Sequence, residues 1–309
     1  MLFTKNNISV LTFNVFPGSP IPFIFNGTTA LYKNRLNLQL KEISKLDPDI
    51  ICLQELYCRY SKKKYQELEN YNSFSGNKSS FIGTIISNII YFILSLFFYF
   101  LINCKLISFI SFYIFIKILL RKSALIEWLE GDETGLMILW KKDIFNLESV
   151  NDLKFSNQKG DIMNYISPRG CITVTLSIDN KKQICVKNFH LNALGKNFQR
   201  LLQVEEVLKN IKTINIPIIL CGDLNVNEDS IEVEKILLHD FKDTFRFVHP
   251  IYTGYTWSST NPLTLGWMRT IDLRIDYIFS KNLKILSSKI VFKNGLFSDH
   301  FGVLSKFQI

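Results

Sequence analysis

Polar residues end or interrupt a series of apolar runs in this chain. Asn14 follows Val10-Leu11-Thr12-Phe13, Glu55 follows Ile51-Cys52-Leu53-Gln54, and His190 and Asn192 follow Val186-Lys187-Asn188-Phe189. Asp223 and Asn225 come after Ile218-Ile219-Leu220-Cys221, Asp276 lies within Arg274-Ile275-Asp276-Tyr277-Ile278-Phe279, and Asp299-His300 follow Ser298. An unpaired carboxylate at the end of a buried strand is expensive, so these groups need partners. Strand ends converging on one edge of a sheet sandwich would provide them, as a cage of hard oxygen ligands with two imidazoles beside it. Oxygen ligands favour Mg²⁺ or Mn²⁺ over zinc, and no His/Cys pairs stand at zinc spacing.

The elements that must carry these groups follow from periodicity. Ile8 to Phe13 reads as a strand, and Pro17, Gly18, Pro20 and Pro22 mark the loop after it. Leu36, Leu40, Ile43 and Leu46 recur at helical spacing until Asp47-Pro48-Asp49, which precedes the buried-strand run Ile50 to Leu53. Further strands are expected around Leu136–Trp140, Ile172–Ile178, Ile184–Phe189 and Ile216–Cys221. A helix is expected from about Phe198 to Ile211, with Phe198, Leu201, Leu208 and Ile211 on one face. Strands outnumber helices and mix with them, as in an α/β or α+β layered domain. No internal repeat interrupts that reading.

The 309 residues suffice for a large core, and 47% hydrophobic content with only 14 Gly and 8 Pro excludes disorder and collagen-like repetition. Six cysteines without a C-x-x-C pair, several of them inside apolar runs, read as buried free thiols. The first 16 residues lack the features of a signal peptide, which points to a reducing, cytosol-facing catalytic part. A net charge of +9 coexists with a mean hydropathy of +0.13. Much of the apolar excess lies between Phe81 and Leu120, where Phe81 to Cys104 contains no charged residue. Lys62-Lys63-Lys64 and Lys78 precede this block and Arg121-Lys122 follow it. An inserted hydrophobic helical hairpin over 79–122 is therefore expected, membrane-associated, with both ends in the cytosol and its basic flanks facing an anionic lipid surface.

The ordered succession T-F-N, L-Q-E, F-H-L-N, G-D-L-N, R-I-D-Y and S-D-H resembles the endonuclease/exonuclease/phosphatase superfamily. That group includes deoxyribonuclease I, abasic-site endonucleases, inositol-phosphate 5-phosphatases and neutral sphingomyelinases. The resemblance spans nearly the whole chain except about 75–121. It implies one catalytic domain over 1–309, of α+β class, folded as a four-layer α/β/β/α sandwich of two mixed β-sheets. It further implies that Glu55, with Asn14 nearby, holds a divalent metal, and that Asp299 supplies a group on the metal's water shell. His300 would act as general base on the attacking water, oriented by Asp276. His190 and Asn225 would bind phosphate oxygens, and Asp223 would align the nucleophile or protonate the leaving oxygen.

Within the superfamily, Tyr255-Thr256-Trp257-Ser258-Ser259-Thr260-Asn261-Pro262-Leu263 is similar to the Thr-Trp…Asn-Pro segment that precedes R-I-D-Y in sphingomyelinase-like members. Arg200-Leu201-Leu202-Gln203 is similar to their R-x-x-Q, although Asn192 stands where Gln is more usual. Phe16 occupies the place where abasic-site endonucleases carry an acidic residue, and no DNA-reading element is evident, so nucleic acid is not the expected partner. The expectation is a Mg²⁺-dependent phosphodiesterase acting on a phospholipid headgroup ester at a membrane. A nuclease, a phosphoinositide phosphatase or a membrane-anchored binding protein with a silent site are the alternatives.

Overall fold

Alternation at period two along β1 (Asn7–Asn14) sends Ile8 and Val10 to one face and Leu11 and Phe13 to the other, a division that organises the whole molecule. The computed structural model describes residues 5–16, 32–57, 59–76, 134–156, 168–178, 182–193, 197–209, 211, 214–264, 271–295 and 297–309. After β1 come α1 (Tyr32–Leu46), β2 (Ile50–Gln54), α2 (Arg59–Gln66), β3 (Tyr71–Ser75), β4 (Met137–Lys141), β5 (Asn146–Lys154), β6 (Gly170–Ile178) and β7 (Lys182–His190). The remainder is α3 (Asn197–Leu208), β8 (Ile218–Asp223), α4 (Ile231–Leu237), β9 (Lys242–Asp243), α5 (Thr244–Val248), β10 (Asp276–Lys281), β11 (Lys284–Val291) and β12 (Gly302–Gln308).

Two six-stranded sheets result, in the orders β11-β12-β1-β2-β4-β3 and β5-β6-β7-β8-β10-β9. Both are mixed, since β1 with β2 and β7 with β8 run parallel while their other neighbours are antiparallel. Ile8, Val10, Ile50 and Ile138 of the first sheet meet Val174, Val186, Ile219 and Ile278 of the second in a core between the sheets. On the outer face of the first sheet, Leu11, Phe13, Ile51 and Leu53 pack under Leu36 and Ile43 of α1 and Tyr65 of α2. On the outer face of the second, Phe189, Leu220 and Phe279 pack under Val204 and Val207 of α3 and Val233 and Ile236 of α4. The order of layers is thus α/β/β/α, and each buried aliphatic side chain contributes about 1.5–3 kcal/mol.

Helix α1 ends where Asp47 adopts φ 46° and its N–H returns to the Ile43 carbonyl. Gly222 has a different obligation. Its φ is +150°, and a Cβ there would lie 1.8 Å from the Phe189 carbonyl oxygen of the neighbouring strand. Gly222→Ala is expected to cost at least about 3 kcal/mol, because backbone rather than a yielding side chain meets the methyl. Urea unfolding of the variant measures this; a loss under 1 kcal/mol would contradict it.

One expectation is revised. Of the expected stripe Leu208 and Ile211 are buried and Leu201 is half-buried, but Phe198 is 65% exposed, and Gln203, Val204 and Val207 make up the rest of the buried face. Periodicity misplaced part of the stripe because Gln203 is buried through hydrogen bonds with Asn192 that a hydropathy count does not anticipate. Arg200, the first residue of the R-x-x-Q segment, is buried and ion-paired to Glu232 at 3.4 Å. Cys52, Cys171, Cys185 and Cys221 are buried free thiols, as expected. The apolar hairpin over 79–122 lies outside the described residues; among the described residues no helix is long and apolar enough to cross a membrane.

Candidate metal-dependent active site

The topology brings the expected residues to one edge of the sandwich. β1 and β2 run parallel with Asn14 beside Gln54, and β7 and β8 run parallel with His190 beside Asp223. β10 runs antiparallel to β8 and sets Asp276 opposite Asp223. β12 is antiparallel to β1, with Val303 opposite Thr12, so Asp299 and His300 just before it arrive at the same edge. Each of Asn14, His190, Asp223 and Asp276 is in phase with the inward-facing apolar residues of its strand, and so points between the sheets.

A polar layer separates the apolar core from the site. Gln54 Nε2 donates to Thr12 Oγ1 at 3.0 Å and, across the sheets, to Asn188 Oδ1 at 2.7 Å. Asn188 Nδ2 donates in turn to the carbonyls of Leu53 at 2.9 Å and Met137 at 3.0 Å. These bonds fix the spacing of the two sheets immediately below the chemistry.

Asp223 is the hub above that floor. It accepts from Asn14 Nδ2 at 2.9 Å and from the Asn225 backbone N–H at 2.9 Å, and lies 3.4 Å from His190 Nε2 and 3.8 Å from His300 Nε2. Burial would raise its pKa, but the two imidazoles and the Asn14 amide outweigh burial and hold it well below the usual carboxylate range. An ionised Asp223 accepts hydrogen bonds, as it does here from Asn14 and Asn225.

His300 Nδ1 meets Asp276 Oδ2 at 2.8 Å, and its ring packs edge-on against Trp257, centroids 4.9 Å apart. A carboxylate can only accept, so Nδ1 keeps its proton, and Nε2 is the nitrogen whose proton comes and goes as the ring changes charge. Burial disfavours the charged ring, yet Asp276, Asp223 and Asp299 override it and hold His300 well above the ordinary histidine value. Thr256 Oγ1 accepts from the N–H groups of Ile275 and Asp276, both at 3.1 Å, which secures the Asp276 backbone. Ser298 Oγ donates to the Asn14 carbonyl at 2.7 Å and lies 3.2 Å from Asp299 Oδ1, and Asn261 Nδ2 donates to the Ser298 carbonyl at 2.9 Å. The Thr256-Trp257…Asn261 segment is therefore built into the site.

Glu55 and Asn225 adopt left-handed φ values of 60° and 53°, which non-glycine residues take up at a cost and which cluster at functional sites. Glu55 reaches in with Oε1 4.0 Å from His190 Nε2. Asn14 Oδ1 accepts the Phe16 N–H at 3.1 Å and keeps a second lone pair. Asp299 is raised to about 7 by burial and by Glu55, despite the opposing effects of His300 and Arg35. Asp276 is also raised, chiefly by burial. One oxygen of buried Asp276 has no hydrogen-bond partner, and Asp223, Asp276 and His300 converge within 4.8 Å. This cluster of carboxyl groups, with one oxygen left over, is a donor set that fits a hard divalent cation; Glu55, Asn14 and Asp299, the expected ligands, reach the same edge of the sandwich.

Several contributors escaped the sequence reading. Arg169, buried at the start of β6, has Nη1 2.7 Å from His190 Nδ1 and 2.6 Å from the Tyr57 hydroxyl. Gln39 of α1 donates to the carbonyls of Val15 at 2.8 Å and Phe297 at 2.6 Å, tying the loop after Asn14 to the loop before Asp299. Neither carries a sequence signal, because an arginine at a strand start and a glutamine on a helix are usually solvated.

The sequence matches the Endonuclease/Exonuclease/phosphatase family over residues 11–300. No curated protein sequence matches the chain significantly. Among solved structures it is similar to D. rerio TDP2 humanized by 14 mutations, at 16% identity over 99% of this chain and 100% of that one, TM-score 0.66. It is likewise similar to an endonuclease/exonuclease/phosphatase from Bacteroides vulgatus, at 15% identity over 99% and 100% of the chains, TM-score 0.67. The human Nocturnin catalytic domain with bound sulfate aligns at 19% identity over 99% and 94%, TM-score 0.62. At these identities the likeness is one of fold, and it agrees with the two mixed six-stranded sheets described above.

Proposed function

The chain belongs to the endonuclease/exonuclease/phosphatase family of metal-dependent phosphoric ester hydrolases, and from that premise we propose that it is a Mg²⁺-dependent phosphodiesterase cleaving a phospholipid headgroup ester at a membrane surface. The cation, Mg²⁺ or alternatively Mn²⁺, would supply positive charge that polarises a phosphoryl oxygen. Glu55, Asn14 and Asp299 would hold it. His300 Nε2 takes the proton of the attacking water while Asp276 stabilises the imidazolium, and ionised Asp223 aligns that water. His190 and Asn225 hold the phosphoryl oxygens. Water adds to phosphorus, the ester bond to the lipid oxygen breaks, that oxygen takes up a proton from solvent as His300 returns the one it accepted, and a phosphorylated headgroup and a lipid alcohol result.

The observation that carries the lipid reading is the placement of the Thr256-Trp257…Asn261-Pro262 segment, the sphingomyelinase-like motif, against His300 and Ser298. The charge-free run 81–104 with basic residues on either side supports membrane association, with the catalytic domain on the cytosolic side. The test is release of phosphocholine from sphingomyelin in mixed micelles with Mg²⁺, comparing the full chain with His300→Ala. Release by the wild type alone supports the reading; no release, or equal release by both, overturns it. A second reading rests on similarity to D. rerio TDP2 complexed with single strand DNA product, at 15% identity. It makes the protein a nuclease, and degradation of single-stranded DNA with no phosphocholine release would favour it. Free phosphate from inositol lipids would instead identify a phosphoinositide phosphatase.

A further inference from the structure

His190 is fully buried, and its two ring nitrogens face different surroundings. On one side, Arg169 Nη1 lies 2.7 Å from Nδ1. A guanidinium has donors and no acceptor, so Nδ1 must present its lone pair. On the other side, Nε2 lies 3.4 Å from Asp223 Oδ2 and 4.0 Å from Glu55 Oε1, both carboxyl oxygens. The neutral ring therefore carries its proton on Nε2, directed at the place where the acidic groups converge. Asn225 Nδ2, 3.1 Å from the same nitrogen, gives one of its two hydrogens to the Leu191 carbonyl at 3.0 Å, and Asp223 Oδ2 is the acceptor within reach of Nε2.

Arg169 is itself held. The Tyr57 hydroxyl accepts from the same Nη1 at 2.6 Å, and the Tyr57 ring is packed on the backbone of Gly135, where a Cβ would come within 2.5 Å of the ring. Gly135 has φ +64° and its carbonyl accepts the Leu56 N–H at 2.8 Å, so Tyr57 and Arg169 are braced by the turn that also presents Glu55. Arg169 and Tyr57 are 4% and 5% exposed, which keeps water from competing for Nδ1.

We propose that Arg169 is a positioning residue: braced by Tyr57, it fixes His190 in the Nε2–H tautomer, so that this ring meets the phosphoryl group as a hydrogen-bond donor and leaves His300 as the base. This rests on the phosphoesterase reading for its consequence, but not for its structural content. Outer partners that set a histidine's tautomer in this way are typically worth about 10–100-fold in activity.

The test is long-range ¹H–¹⁵N correlation spectroscopy of the histidine-labelled full chain at pH 8 with Mg²⁺. Only 4 histidines contribute, and His190→Gln assigns the signal. The wild type should show an unprotonated Nδ1 and a protonated Nε2. Arg169→Met should lose that pattern and lower kcat about 10–100-fold with KM changing less, whereas Arg169→Lys, which keeps a donor, should retain the tautomer and recover most of kcat. A proton on Nδ1 in the wild type, or an unchanged His190 pattern in Arg169→Met, overturns the proposal. If Arg169→Met does not fold, the wild-type spectrum and Arg169→Lys still decide it. Because the spectrum needs no turnover, failure of the phosphoesterase reading would appear separately, as inactivity with the tautomer in place.

Discussion

His300→Ala is expected to lower kcat by about 10²–10⁴-fold, the range for loss of a general base. The ring has its Nδ1 committed to Asp276 at 2.8 Å and Nε2 3.8 Å from Asp223, so no neighbouring group duplicates its position. Among the described residues the other histidine of the site, His190, faces a guanidinium through Nδ1 and is poorly suited to gain a proton. The substitution also acts on stability, with a defined sign. His300 has a folded pKa well above 6.5, so its favourable pairing is fully present below about pH 6.5 and fades as pH rises through the folded value. In chelator-treated protein His300→Ala should therefore lose more stability at pH 6 than at high pH. Rate assays and urea unfolding at several pH values measure both effects; activity within tenfold of wild type would rule out His300 as the base.

Asp299→Asn is expected to stabilise the metal-free protein while abolishing its response to metal. Asp299 ionises near 3.8 when unfolded and at about 7 when folded, so stability falls as pH rises through that window and stays low above it. The gap corresponds to an order-of-magnitude penalty of about 4 kcal/mol at pH 8. Asparagine removes it and keeps an oxygen near the Ser298 hydroxyl. In chelator at pH 8 the variant should melt higher than wild type, whereas at pH 4 the two should converge. Mg²⁺ should raise the wild-type melting temperature by binding the ionised form and should do little for Asp299→Asn. A variant that melts lower in chelator, or that keeps the full Mg²⁺ shift, would contradict the assignment of Asp299 to the metal.

The residues that reach the site from strand ends were legible in the sequence because each breaks an apolar run in phase with the buried face. Asn14, His190, Asp223 and Asp276 follow this pattern, and the parallel pairs β1/β2 and β7/β8 convert it into one shared edge. Asp299 and His300 were legible only through the family likeness, since an Asp-His near a chain end has no strand phase of its own. Arg169, Gln39 and the Gln54–Asn188 link were not, because their partners lie across the sandwich or on another layer, at sequence separations that local pattern does not encode. The same limit explains α3, where Phe198 has helical spacing yet faces outward while Gln203 is buried against Asn192. Strand β5 was missed for the opposite reason: as an edge strand with most of its side chains exposed it lacks the alternation that identifies a half-buried strand.

The convergence of both sheets on one cation-dependent phosphoesterase centre is tested most directly with a simple chromogenic phosphodiester, bis(p-nitrophenyl) phosphate, independent of any lipid. Chelator-treated full-length protein should release no nitrophenol above background, Mg²⁺ or Mn²⁺ should restore release, and His300→Ala should stay at least about 100-fold slower under the same conditions. Hydrolysis that proceeds equally in chelator, or that is indifferent to His300, would contradict a metal-dependent centre at this edge of the sandwich.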